Sequence, residues 1–202
     1  MIAIIDYGAG NLQSVKKAFD YLGVETAVTA DPRVLSSAAA AVLPGVGAFG
    51  DARAALRSLQ LEEPIRHFIE QDKPFLGICL GLQLLFEGSE ESPGVPGLGV
   101  LKGTIHRIPD GPGLKIPHIG WNSLRLLQKD GLFAGLEEEP YVYFVHSYFL
   151  RAEDRSVVSA KTEYGVAIDA AVRRGSLNAV QFHPEKSGKT GLAMLKNFAG
   201  LL

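Results

Sequence analysis

The apolar positions of this chain alternate between short solid runs and helically spaced ones. Ile2 to Ile5 is a continuous apolar run, the pattern of a strand covered on both faces. Gly8-Ala9-Gly10-Asn11 interrupts it. Leu12, Val15, Ala18, Phe19 and Leu22 then recur at helical spacing, and Gly23 predicts the stop. Val24 to Val28 predicts a second strand. Asp31-Pro32 joins an N-cap residue to a proline at the first helical position. Ala40 to Leu43 predicts a third strand, stopped by Pro44-Gly45-Val46-Gly47. Ala52 to Leu59 and Glu63 to Gln71 predict helices, Phe75 to Ile78 another buried strand, and Gly81 to Glu87 another helix. This alternation predicts a doubly wound α/β fold, with a mostly parallel central sheet and helices on both faces.

The second half of the chain is patterned differently. Proline and glycine crowd Ser92 to Gly99 and Pro109 to Gly113, which predict loops. Gly103 to Ile108, Tyr141 to Tyr148, Val157 to Thr162, Ala167 to Arg173 and Leu177 to Phe182 predict strands with few helices between them. They are expected to form an antiparallel extension. The last helix is expected over Thr190 to Leu202. No repeat, low-complexity tract or long linker divides the chain, so one domain is expected over residues 1–202.

Composition narrows the function classes. The chain has 202 residues, 47% hydrophobic and 21% charged, which is ordinary globular composition and excludes disordered and fibrous classes. A chain this long buries roughly 70% of its unfolded surface and needs no staple. A net charge of −2 gives no general basic field for nucleic acid and no polybasic patch for a membrane. A single cysteine excludes an internal disulfide framework and a Cys-rich zinc site. The opening apolar run is too short for a signal peptide, and none nears the ~20 residues of a membrane span. A soluble protein of a reducing cytoplasm is expected.

The candidate chemistry starts at Gly77-Ile78-Cys79-Leu80-Gly81, between a buried strand and a helix. It matches the G-x-S-x-G nucleophile elbow with cysteine in place of serine, and a helix start favours a thiolate. A buried structural cysteine is the competing reading; the flanking glycines at this junction favour function. His183-Pro184-Glu185 follows an apolar strand. His183 can take the Cys79 proton and Glu185 can hold the imidazole in one tautomer, although this tripeptide alone also suits an exposed turn. His67, His106, His118 and His146 compete as bases: His67 falls on a predicted helix surface, and the others lack a carboxylate at useful spacing. Pro44-Gly45-Val46-Gly47 is either a plain turn or a source of backbone N–H groups for an oxyanion, with the Leu80 N–H as the other donor. Gly8-Ala9-Gly10-Asn11 is only part of a dinucleotide loop, because position 13 is Gln13; dinucleotide binding is rejected.

Gly77-Ile78-Cys79-Leu80-Gly81-Leu82-Gln83, with Phe182-His183-Pro184-Glu185 downstream, resembles the triad-type class I glutamine amidotransferases. Further segments narrow the resemblance: Asp6-Tyr7-Gly8-Ala9-Gly10-Asn11, Pro44-Gly45-Val46-Gly47-Ala48-Phe49, His118-Ile119-Gly120-Trp121-Asn122 and Tyr143-Phe144-Val145-His146-Ser147-Tyr148. Together with Gln181 to Ser187 they are similar to the glutaminase-subunit family of imidazole glycerol phosphate synthase. The resemblance runs from residue 6 to residue 187, so no fused synthase domain is expected.

That resemblance implies hydrolysis of L-glutamine to glutamate and ammonia. The ammonia would pass to a separate (β/α)₈ cyclase subunit, forming a heterodimer that serves histidine biosynthesis. It implies Cys79, His183 and Glu185 as the triad, and Leu80, Val46 and Gly47 as backbone oxyanion donors. Gln83, Glu91 and the backbone around Ser147 would hold the glutamine. Asn11, Trp121, Tyr143 and Lys186 would fall near the cyclase interface. No metal or organic cofactor is required, and no nucleic acid or membrane partner is implied. Two rivals stand beside this reading. One is a glutaminase of the same class serving pyridoxal phosphate, anthranilate or GMP synthesis; the other is a flavodoxin-like binding protein with an incidental triad.

Overall fold

The computed structural model describes residues 1–202. Its elements are β1 (Ile2–Ile5), α1 (Leu12–Tyr21), β2 (Thr26–Thr29), α2 (Pro32–Ser37), β3 (Ala40–Gly45), α3 (Phe49–Ser58), α4 (Glu62–Glu70), β4 (Phe75–Cys79), α5 (Leu80–Leu84), β5 (Gly88–Ser89), β6 (Gly103–Arg107), β7 (His118–Ser123), β8 (Arg125–Leu126), β9 (Tyr141–His146), β10 (Tyr148–Ala152), β11 (Val158–Glu163), β12 (Ala167–Arg174), β13 (Leu177–Val180) and α6 (Gly188–Ala199). Eight strands form the central sheet in the order β2-β1-β3-β4-β13-β12-β11-β8. The first five run parallel, and β12, β11 and β8 continue it antiparallel.

The solid apolar runs are buried because both sheet faces are covered. Alternate residues of β1 and β3 enter opposite cores. Ala3, Ile5, Ala41 and Leu43 pack with Leu35, Phe49, Leu56 and Phe68 of α2, α3 and α4. Ile2, Ile4, Ala40 and Val42 pack with Val15, Phe19, Leu195 and Phe198 of α1 and α6. The fold is therefore a doubly wound α/β sheet with an antiparallel extension, as the alternation predicts.

Four details differ from the expectation. The run Tyr141 to Tyr148 is broken at Ser147 into β9 and β10, which join different small sheets: β9 pairs with β7, and β10 with β6. The β7 strand lies in a stretch where no element is predicted, because its glycine and polar residues hide the alternation. β13 belongs to the parallel set on one side, since it sits in parallel register with β4 and only its β12 edge is antiparallel. The helix expected to Glu87 ends at Leu84; beyond it, the Leu84 and Leu85 carbonyls accept from Leu98 and Val100 of the following loop.

Candidate active site

Three adjacent parallel strands end at one edge of the sheet. The register sets Gly45 opposite Cys79 and Ile78 opposite Val180. The turn after β3, the residue ending β4 and the segment after β13 therefore emerge side by side, at the carboxyl ends where ligands bind in such sheets.

Cys79 occupies a backbone conformation that L-residues avoid, with φ 54° and ψ −106°, a strain that costs of order 1–3 kcal/mol. The chain can turn this sharply because its flanks lack side chains. A Cβ on Gly81 would run into the Leu43 carbonyl, and one on Gly77 would sit 2.9 Å from the Gly81 carbonyl oxygen. The next residue, Leu80, starts α5, so its N–H has no acceptor inside the helix.

His183 is carried into the cleft by its backbone. Its N–H donates to the Tyr143 carbonyl at 2.9 Å, and the Ser187 hydroxyl donates to its carbonyl at 2.7 Å. The ring Nδ1 lies 2.8 Å from Glu185 Oε1, with both side chains almost wholly buried. An ionised carboxylate only accepts, so Nδ1 carries the hydrogen and Nε2 is left for Cys79. Burial opposes a charge on His183. Its hydrogen bonds to Cys79 and Glu185, and their negative charges, outweigh burial and hold the imidazole up to about 10.

Cys79 and His183 face a cavity of about 290 Å³, lined also by Val46, Gly47, Leu80, Gln83, Glu91, Ser147 and Lys186. Gln83 is buried, and its Nε2 donates to the Tyr148 carbonyl at 3.2 Å and to Gln181 Oε1 at 3.1 Å. Glu91 has a task in the fold: Oε2 accepts the Phe49 N–H at 2.8 Å. The Ser147 carbonyl accepts from the Ile108 N–H, so this break between strands is itself anchored.

The four residues expected near a partner divide. Trp121 stands 55% exposed on β7 and meets Tyr143 of β9 edge-on, with ring centroids 5.9 Å apart. Tyr143 links this ribbon to the cleft, because its backbone bonds both His183 and Ser187. Lys186 is exposed at the cleft rim. Asn11 caps α1, accepting the Ser14 N–H at 3.3 Å.

Sequence reasoning overlooked Gln181, fully buried, whose Nε2 lies 3.6 Å from Cys79 Sγ. The available signal was its spacing: two residues before His183 in extended chain places both side chains on one face. His118 and His146 are expected only as rival bases. The two are buried and bonded to each other, His118 Nδ1 to His146 Nε2 at 3.1 Å, and His146 Nδ1 donates to the Tyr148 carbonyl at 2.9 Å. His118 is stacked between Phe144 and Tyr164. Burial lowers His118 to about 4. Burial and the neighbouring His118 and His183 lower His146 to about 3.

The model of the glutamine amidotransferase class-I family matches residues 3–200. Among solved structures, a glutamine amidotransferase superposes with a TM-score of 0.78 at 22% identity, covering 100% of this chain and 98% of that one. PurLQS from Thermotoga maritima superposes at 0.77 and 20% identity, covering 98% and 97%. At these identities the superpositions show the fold, and the family match shows the class: the chain belongs to the class I glutamine amidotransferases. Curated relatives narrow it further. Imidazole glycerol phosphate synthase subunit HisH of Methanothermobacter thermautotrophicus is 52% identical over 202 residues, 100% of this chain and 99% of the relative. The subunit HisH of Aquifex aeolicus is 53% identical over 196 residues, 96% and 94% of the two chains. Within the class, the chain belongs to the family of imidazole glycerol phosphate synthase subunit HisH.

Proposed function

We propose that residues 1–202 form a single glutaminase domain that hydrolyses L-glutamine through Cys79, His183 and Glu185. It would pass the ammonia to a (β/α)₈ cyclase subunit of imidazole glycerol phosphate synthase, with which it forms a cytoplasmic heterodimer in histidine biosynthesis. The observation that carries this reading is the convergence of a strained Cys79 and a Glu185-bonded His183 on one cavity. No helix is long and apolar enough to cross a membrane.

In this mechanism the Cys79 thiolate attacks the side-chain amide carbon of glutamine. The carbonyl oxygen becomes an oxyanion, held by the Leu80 N–H and by the turn at Val46 and Gly47. The His183 imidazolium gives its proton to the amide nitrogen, the C–N bond breaks, and ammonia leaves a thioester on Cys79. Water, losing a proton to His183, adds to the thioester, and the collapsing intermediate returns glutamate and the thiolate. Gln83, Glu91 and Ser147 line the space the bound glutamine would fill. The Trp121–Tyr143 ribbon, with Lys186 and Asn11, offers a surface by which a docked cyclase could act on the His183 segment.

Ammonia release from glutamine, measured with the purified chain alone and with the cyclase subunit, tests the reading. Turnover in the presence of the cyclase is expected. No turnover with any synthase partner would favour a binding protein with an incidental triad, and turnover restored only by a pyridoxal phosphate, anthranilate or GMP synthase partner would reassign the pathway.

A further inference from the structure

One buried polar chain ends on the nucleophile, and its polarity can be read from its fixed end. The Tyr148 carbonyl can only accept. It lies 3.2 Å from the Gln83 amide, so that atom is Nε2. The same Nε2 lies 3.1 Å from the Gln181 amide, which must therefore turn its oxygen to Gln83. That leaves the Gln181 Nε2 3.6 Å from Cys79 Sγ, with its hydrogens toward the sulfur. The opposite orientation would set two NH₂ groups against each other and an oxygen against the sulfur. Gln181 has no freedom to drift, since it is fully buried and its backbone N–H donates to the Ala170 carbonyl at 2.8 Å.

Resting on the triad reading above, we propose that Gln181 is a further catalytic residue: its side-chain amide holds the Cys79 sulfur for attack and stabilises it when ionised. Gln83 is the positioning residue that fixes the direction of that amide. The sulfur has a partner in each state. The neutral thiol can donate to the Val145 carbonyl, 3.7 Å away. Once ionised it has no hydrogen for Val145, and the Gln181 N–H and the His183 imidazolium face it. A hydrogen bond to an ionised group is worth about 1.5–3 kcal/mol net, roughly 10- to 100-fold in an equilibrium. The same bond serves the second half-reaction, in which the sulfur leaves the thioester as thiolate. Aligned this way, Gln181 complements His183 without exchanging a proton.

The test uses the full chain, in which Cys79 is the only cysteine. The rate of iodoacetamide alkylation is followed against pH for the wild type, Gln181→Leu, Gln181→Asn and Gln181→Glu, alongside glutamine turnover with the cyclase subunit. Gln181→Leu removes the donor, Gln181→Asn keeps an amide but falls short of the sulfur, and Gln181→Glu presents it with a carboxylate. Folded Leu and Asn variants should shift the alkylation midpoint upward by about one pH unit or more, with kcat down about tenfold and KM little changed. The Glu variant should shift it further. Gln83→Leu, which frees the Gln181 amide to turn, should move the midpoint in the same direction. If Gln181→Leu does not fold, Gln181→Asn decides. A midpoint unchanged in folded variants, beside an active wild type, would remove the role of Gln181 and leave the triad standing. A wild type that never turns over glutamine would instead remove the triad reading on which the proposal rests.

Discussion

Phe49 donates its backbone N–H to the Glu91 carboxylate at 2.8 Å, across 42 positions of the chain. Beside it, the Gly50 N–H donates to the Ser92 hydroxyl at 2.9 Å. α3 has no cap from its own flank, where Ala48 offers no polar side chain. Two residues of a distant loop cap it instead. The turn through Val46 and Gly47 is thus held at one end by the pairing of Gly45 with Cys79 and at the other by Glu91. Between these anchors Gly47 takes φ 101°, a conformation that favours glycine, and the turn carries two of the three proposed oxyanion donors, Val46 and Gly47.

Ser92→Ala should therefore act on stability and on the turn together. Loss of this cap should cost about 1 kcal/mol. Amide hydrogen exchange at Phe49 and Gly50 should accelerate, and kcat should fall more than KM rises. Unchanged exchange at these two amides would show that the loop does not anchor the turn.

Cys79→Gly and Cys79→Ala should both abolish glutamine turnover and keep synthesis from added ammonium. They should differ in stability, because only glycine accepts φ 54° without strain. Cys79→Gly is expected to be about 1 kcal/mol more stable than Cys79→Ala, less whatever glycine adds to unfolded-state entropy. Thermal or urea unfolding of the pair measures it, and an equal or lower midpoint for the glycine variant would show that the elbow stores no strain.

His183→Ala should lower turnover by several orders of magnitude, and Glu185→Gln by less, since it keeps the imidazole and mainly disturbs its orientation, along with the charge that supports the imidazolium. The double variant should be little worse than His183→Ala alone, because the groups act as a unit. Strict additivity would argue against the dyad.

The buried His118–His146 pair should make the protein acid-sensitive. Both are neutral in the fold, lowered to about 4 and about 3 from the ordinary 6.5. Between those values and 6.5 the unfolded chain binds more protons than the native one, so stability rises with pH across this window and is lost as pH falls through it. His118→Gln, which keeps a donor toward His146, should flatten that part of the stability curve. A curve as steep as the wild type's would place the acid sensitivity elsewhere.

The isolated chain should be a poor glutaminase that the cyclase subunit switches on. Reorienting one peptide in the Val46–Gly47 turn to supply an oxyanion donor would be worth about 10²–10³ in turnover. Lys186→Ala and Trp121→Ala should weaken this activation. Steady-state ammonia release with and without the cyclase and its nucleotide ligand reads the effect, and equal turnover in both conditions would leave a constitutive enzyme.

Much of this architecture was legible in the chain itself. Solid apolar runs at Ile2–Ile5, Ala40–Leu43 and Phe75–Ile78 predict strands covered on both faces, and helical spacing between them predicts a doubly wound sheet. The same local logic found the elbow, since Gly77 and Gly81 are needed within two residues of Cys79, and it found His183 with Glu185, two residues apart. Other features depend on contacts between segments that no local pattern encodes. Glu91 reads as a loop carboxylate until α3 is placed beside it. Gln181 reads as the end of a strand until parallel pairing of β13 with β4 brings it to the sulfur of Cys79. His118 and His146, 28 positions apart, read as separate histidines until the β7–β9 ribbon pairs them. Periodicity reports which face of its own element a side chain occupies; which groups share a buried space is decided by strand order and register, and those are set by packing across the whole molecule.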